Sequence, residues 1–189
     1  MRILIGEDES ITRMGLCRIL EDAGHRVVAA PDGRTAVRLA RQTGPDVVIL
    51  DIKMPGLDGL EAAQRIYHDR PTPIVLLTAY GDQSLIERAT RLPVMAYLIK
   101  PIKETELLAT LKVVTARFAE FERLHQQTIE LKVELAARKV IERAKGVLMR
   151  RDGLSDREAY NCIQKRARDG RRAMRDVAED ILDAAHALD

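Results

Sequence analysis

Apolar positions in the first 110 residues fall into five short blocks set between polar turns. The blocks are Ile3 to Ile5, Arg26 to Ala30, Val47 to Leu50, Ile74 to Leu77 and Met95 to Ile99. Each has strand length, the third is rich in β-branched residues, and the third and fourth are continuous enough to be buried on both faces. Between the blocks the apolar period becomes helical. Ile11, Leu16, Ile19 and Leu20 precede a stop at Gly24, and Ala36, Val37, Leu39 and Ala40 precede Gly44-Pro45. Further helices are predicted over about 57–69, ended by Pro71-Thr72-Pro73, over about 83–92, and from Glu104 onward. Five strand–helix units in strict alternation predict a parallel sheet with helices on both faces. Spacing alone leaves the strand order open; the expected order is 2-1-3-4-5.

The pattern changes after Pro101. All seven prolines lie at or before it, and only Gly146, Gly153 and Gly170 follow it. The remainder reads as nearly continuous helix. Val114, Phe118, Phe121, Leu124, Thr128, Leu131 and Leu135 form a near-heptad stripe with one stutter and one polar position. Such a stripe packs against another helix, either in a second copy of the chain, the preferred reading, or in the chain's own C-terminal helices. Val140, Ile141, Ala144, Val147 and Leu148 continue inward to a stop at Asp152-Gly153. Ser155 and Glu158 form a capping box. The next helix is expected to bury Ala159, Tyr160, Ile163 and Ala167 and to break at Gly170. A last helix carries Met174, Val177, Ala178, Ile181, Leu182 and Ala185, which makes a small three-helix bundle. The expected division is 1–116, a linker helix over 117–137, and a bundle over 138–189.

Charge sharpens the division. Residues 1–116 carry 15 basic and 15 acidic side chains, whereas residues 138–176 carry 13 basic against 6 acidic. A basic block on helices is either a solvated surface or the footprint of a polyanion. Cys17 and Cys162 are far apart in helical patterns and read as reduced core residues. The four histidines have no zinc-ligand spacing. No apolar run approaches a membrane span or a secretory leader, so a cytoplasmic protein is expected.

Chemistry gathers at the strand ends. Glu7 and Asp8 follow the first strand, Asp51 ends the third, Thr78 the fourth and Lys100 the fifth. Alone, Asp51 reads as a helix or turn cap. In a 2-1-3-4-5 sheet, however, the first and third strands flank the switch point, where ligands bind. Three carboxylates about 5 Å apart would repel by roughly 3 kcal/mol per pair at an effective dielectric near 20. They call for a hard divalent cation such as Mg²⁺. Lys100 and Thr78 add a cation and a hydroxyl suited to phosphoryl oxygens, so the assembly looks built to load a phosphoryl group onto Asp51.

These motifs, with Met54-Pro55, Asp58-Gly59, Thr78-Ala79 and Tyr97 through Pro101, resemble the receiver domain of two-component response regulators. The resemblance covers about residues 1–116. It implies a flavodoxin-like fold and a sensor histidine kinase as partner. It implies Asp51 as phosphoacceptor and Mg²⁺ held by Glu7, Asp8, Asp51 and the Lys53 carbonyl. Thr78 and Lys100 would contact the phosphoryl group, Tyr97 would be an inward-turning switch, and the Lys100–Pro101 bond would be cis. One departure is Pro93-Val94 where relatives often carry Gly-Ala.

The bundle shows no catalytic constellation, and the chain is not expected to be an enzyme beyond self-phosphorylation and self-dephosphorylation with Mg²⁺. Leu135 through Met149, Leu154-Ser155 with Glu158-Ala159-Tyr160, and Arg172 through Ala178 resemble an ANTAR domain over about 124–185. The resemblance implies binding of RNA hairpins in messenger leaders and transcription antitermination. Lys145, Arg166, Arg168, Arg171, Arg172 and Arg175 are the candidate RNA contacts, whereas Ala144 and Gly146 read as helix packing. Asp169-Gly170-Arg171 stands where the family commonly has an asparagine. The expected protein is a phosphorylation-controlled antiterminator that dimerises through the helix over 104–137. Three rivals are a DNA-binding regulator, since Leu154 to Ala159 also resembles a helix-turn-helix opening, a protein-interaction adaptor, and a receiver that has lost phosphorylation.

Overall fold

The computed structural model describes residues 1–79 and 94–186, and the helix expected over 83–92, with Pro93, lies outside them. The chain divides into two compact units, Met1–Glu122 and Arg123–Asp189. The first contains strands β1 (Arg2–Gly6), β2 (Arg26–Ala30), β3 (Val47–Asp51), β4 (Ile74–Thr78) and β5 (Val94–Ile99). It also holds helices α1 (Ser10–Asp22), α2 (Gly33–Thr43), α3 (Gly59–Asp69) and the start of α4 (Glu104–Asp152). The second holds the rest of α4, α5 (Asp156–Gly170) and α6 (Met174–His186). The five strands are parallel in the order β2-β1-β3-β4-β5, as expected.

The continuous apolar runs follow from two covered faces. Leu4, Val48, Leu50, Ile74 and Leu76 pack with Ala36, Val37, Leu60, Ala63 and Ile66 of α2 and α3. Their strand neighbours Ile3, Ile5, Val47, Ile49, Val75 and Leu77 pack with Leu16 and Leu20 of α1 and Leu107, Leu111 and Val114 of α4. Alternate side chains thus enter two separate cores. The starts of α2 and α3 are set by side-chain caps: Asp32 accepts from the Thr35 amide at 2.8 Å and Asp58 from the Glu61 amide at 2.7 Å.

In the second unit, Ala144 and Leu148 of α4, Ala159, Ile163 and Ala167 of α5, and Val177, Ala178 and Ile181 of α6 share one core. The Ser155–Glu158 capping box is present. One expectation is corrected: Tyr160 is 41% exposed, because Ala159, Ile163 and Ala167 keep a strict four-residue spacing that turns the next position outward. The helix α5 ends at Gly170, as expected, and Arg171 after it takes the left-handed position at φ 51°.

Gly59 joins fold and site. A Cβ there would collide with the Asp51 backbone carbonyl, and the Gly59 amide donates to Ile52 O at 2.9 Å. Only glycine lets α3 start against the end of β3. Gly59→Ala is expected to cost about 1–3 kcal/mol, as overpacking does, and to lower the thermal midpoint measured by circular dichroism.

Candidate functional site

Sheet register assembles the site. Gly6 pairs with Leu50, so Glu7, one residue on, stands opposite Asp51. Asp51 pairs with Leu77 and Thr78 with Ile99, which places Thr78 and Lys100 just beyond on the other side. The Lys100 amide donates to Thr78 O at 2.9 Å and holds β5 in step. Neighbouring strands lie about 4.8 Å apart, so a group on β5 must span two strand spacings to reach Asp51. A lysine stem does this: Nζ of Lys100 is 2.9 Å from Asp51 Oδ2 and 2.7 Å from Glu7 Oε2. The Lys100–Pro101 bond is cis, as expected.

Glu7, Asp8 and Asp51 can bring one carboxylate oxygen each within 4.8 Å of one another. Glu7 and Asp51 are buried, whereas Asp8 is exposed. Burial pushes the Glu7 carboxyl above its ordinary range; the Asp51 charge pushes the same way and Lys100 opposes. Burial works against the Lys100 ammonium, but its close contacts with the Glu7 and Asp51 carboxylates outweigh it and hold its pKa up. Glu7 Oε2 is buried with no aligned hydrogen bond, and the ammonium beside it is an ion-pair contact only. An under-served buried carboxylate oxygen facing two more carboxylates fits a divalent cation coordinated by oxygen. Lys53 is exposed, two residues past Asp51. Thr78 is buried and its hydroxyl donates to Ala79 O at 3.2 Å. Tyr97 is 51% exposed.

Sequence reasoning missed Arg13. Its guanidinium donates to the carbonyls of Glu7 at 2.6 Å and Asp8 at 3.1 Å, and so clamps the acidic loop to the first turns of α1. Only the distance of five to six residues to the acidic pair hinted at this.

The basic candidates of the bundle separate into groups. Lys145 is buried, with ion pairs to Asp156 at 2.6 Å and Glu142 at 3.1 Å, so it clamps α4 to the start of α5 instead of facing solvent. Arg172 is held by Asp180 through two hydrogen bonds, of 2.6 and 3.2 Å, and Arg175 by Glu179 at 2.8 Å. Arg166, Arg168 and Arg171 are exposed and make no ion pair among the described residues.

Residues 3–112 match the response regulator receiver domain, and residues 130–182 match the ANTAR domain. The chain is a response regulator with an ANTAR output domain. A receiver–ANTAR relative, the transcriptional regulatory protein PdtaR of Mycobacterium tuberculosis, is 42% identical over 183 residues, which is 96% of this chain and 89% of that protein. A receiver domain from Clostridium thermocellum superposes with a TM-score of 0.60 at 28% identity, over 64% of this chain and 98% of that one. The chemotaxis protein CheY4 of Vibrio cholerae gives 0.57 at 30% identity, over 60% and 97%. Receiver domains generally bind Mg²⁺ at an acidic pocket of the kind formed here by Glu7, Asp8 and Asp51. No described helix is long and apolar enough to cross a membrane.

The raised Glu7 pKa gives this receiver a pH signature. Its carboxylate opposes folding, so metal-free stability should fall as pH rises from about the ordinary value of 4.5 through the higher folded value. Thermal melts without Mg²⁺ should show this fall in the wild type, and Glu7→Gln should flatten it. Lys100→Ala leaves two carboxylates without their cation; after allowance for the ammonium's partial exposure it should cost about 2 kcal/mol in urea unfolding.

Proposed function

We propose that this regulator accepts a phosphoryl group on Asp51 from a sensor histidine kinase and, in response, binds RNA hairpins and antiterminates transcription. The observation that carries this reading is one chain joining an acidic pocket closed by Lys100 to an ANTAR bundle with exposed arginines. In the transfer, an Asp51 carboxylate oxygen forms the new P–O bond. The P–N bond of the kinase's phosphohistidine breaks, and its electron pair returns to the imidazole. Glu7, Asp8, Asp51 and the Lys53 carbonyl would hold Mg²⁺, which supplies positive charge to the phosphoryl oxygens. Lys100 supplies the protein's own positive charge from the opposite side, exchanging its contact with Asp51 for one with the phosphoryl group. The Thr78 hydroxyl exchanges its bond to the Ala79 carbonyl for a phosphoryl oxygen, and Tyr97 turns inward behind it. The protein turns over nothing beyond its own phosphorylation and dephosphorylation, and it works in the cytoplasm, where nascent transcripts are made.

A homodimer through α4 completes the reading. Leu124, Leu131 and Leu135 are half-exposed or more in the single chain. Set in heptads, Leu124 and Leu131 occupy d, and Thr128 and Leu135 occupy a. Lys132 and Lys139 then fall at e and Glu134 at g, and none of the three has an ion pair among the described residues. In a parallel, in-register pair, Glu134 of one chain faces Lys139 of the other; an antiparallel pair would set like charges together. Burying the exposed parts of six leucines returns roughly 6 kcal/mol, against an association cost on the order of 4–15 kcal/mol. The helix alone therefore gives a marginal dimer, which a change in the receiver can tip. A dimer offers two bundles to one transcript and makes the second contact intramolecular.

Intact mass after treatment with acetyl phosphate and Mg²⁺ should show one added phosphoryl group in the wild type and none in Asp51→Asn. Gel shifts at matched salt should favour hairpin RNA over duplex DNA; a preference for duplex DNA would favour the DNA-binding rival, and binding of neither would favour the adaptor. Glu134→Lys and Lys139→Glu should each weaken the homodimer, and mixing the two variants should give a preferred heterodimer by native mass spectrometry. Indifference to mixing would exclude the parallel register.

A further inference from the structure

We infer that a cleft at the C-terminal end of α5 is a seat for RNA backbone phosphate, an assignment that rests on the RNA-binding reading above. The cleft has a volume of about 280 Å³ and is lined by Arg151, Arg166, Gly170, Arg172, Val177 and Asp180, among others. Three guanidinium-bearing residues line it: Arg151 from the end of α4, Arg166 from α5, and Arg172 from the turn between α5 and α6. Their states differ in a way that suits an anion. Arg151 is held by both oxygens of Asp152, at 2.7 and 2.9 Å, and Arg172 by both oxygens of Asp180, at 2.6 and 3.2 Å. Each carboxylate engages two of a guanidinium's five N–H donors and fixes its plane, leaving the others for a further acceptor. Arg166 is exposed, makes no ion pair among the described residues, and acts on Asp152 only through the longer-range attraction of its charge. Of the three arginines it is the one without a hydrogen-bonded carboxylate.

The backbone makes a second, independent observation. Arg171 is the only non-glycine residue at positive φ among the described residues. Its chain neighbours Gly170 and Arg172 both line the cleft. A left-handed C-cap is the position where helices prefer glycine, and an arginine there gives up stability. The glycine that would relieve this stands one residue earlier, inside α5. A residue kept in a costly conformation at the edge of a basic cleft points to a contact that stability alone does not explain. Lys145, the other basic group singled out by the sequence, is excluded because it is buried and paired twice.

Phosphate contacts are independent of base sequence, so any structured RNA can serve as probe. The test uses the full chain with a labelled stem–loop RNA closed by a UUCG loop, titrated over a series of salt concentrations. Arg166→Ala should weaken binding about tenfold at low salt and reduce the slope of log K against log salt by about one. Arg157→Ala, which removes the same charge from an exposed position outside the cleft, should change the slope by much less. Arg171→Gly is the decisive variant: it should raise the thermal midpoint yet weaken RNA binding, a pair of opposite signs that a purely structural arginine would not give. If Arg166→Ala and Arg157→Ala weaken binding equally, or Arg171→Gly binds as the wild type does, the cleft is not the seat, although the RNA-binding reading stands. If the wild type fails to bind at low salt, the RNA-binding reading falls and the cleft with it.

Discussion

The Lys100 ammonium between Glu7 and Asp51 is the interaction on which the receiver unit depends. Without it, two buried carboxylates would face each other and Asp8 across adjacent strand ends. With it, the carboxylates can be carried in the folded state before any metal arrives. The cost remains visible in Glu7, whose carboxyl is pushed up by burial even with the ammonium 2.7 Å away. The pocket is thus kept short of positive charge, which is what a site for a divalent cation and a phosphoryl group requires. The rest of the sheet serves that placement. Register between β1 and β3 sets Glu7 opposite Asp51, Gly59 lets α3 start against the Asp51 carbonyl, and Arg13 pins the acidic loop.

The C-terminal bundle follows the opposite rule. Its core is small and rich in alanine, and its arginines lie outside it. Some are spent on structure: Lys145 ties α4 to the start of α5, and Glu158 completes the cap of Ser155. Others, Arg166, Arg168 and Arg171, are exposed and make no ion pair among the described residues. The division between paired and unpaired cations separates residues that hold the bundle together from those free to meet a polyanion.

Much of this was legible in the sequence because the signals were local. Continuous apolar runs marked β3 and β4, the capping box marked the start of α5, and the strand-end residues named the pocket. What was not legible depended on three-dimensional pairing. Lys145 looked like an exposed cation because its partner Asp156 lies beyond a turn. Tyr160 looked buried because it sits beside the true core position Ala159. Gly170 does end α5, but the left-handed site falls one residue later, on Arg171, which residue type does not reveal. Arg13 could not be picked out because its acceptors are backbone carbonyls, which leave no mark on residue type.

In the proposed function, the phosphoryl state of Asp51 governs RNA binding by the helical bundle. The most direct test is the affinity of the full chain for a hairpin RNA, with Mg²⁺ alone and with Mg²⁺ plus beryllofluoride, while the mass in solution is followed in parallel. The account predicts a shift from monomer to dimer and tighter RNA binding when beryllofluoride is added, with neither change in Asp51→Asn. Equal mass and equal affinity in both states would contradict it.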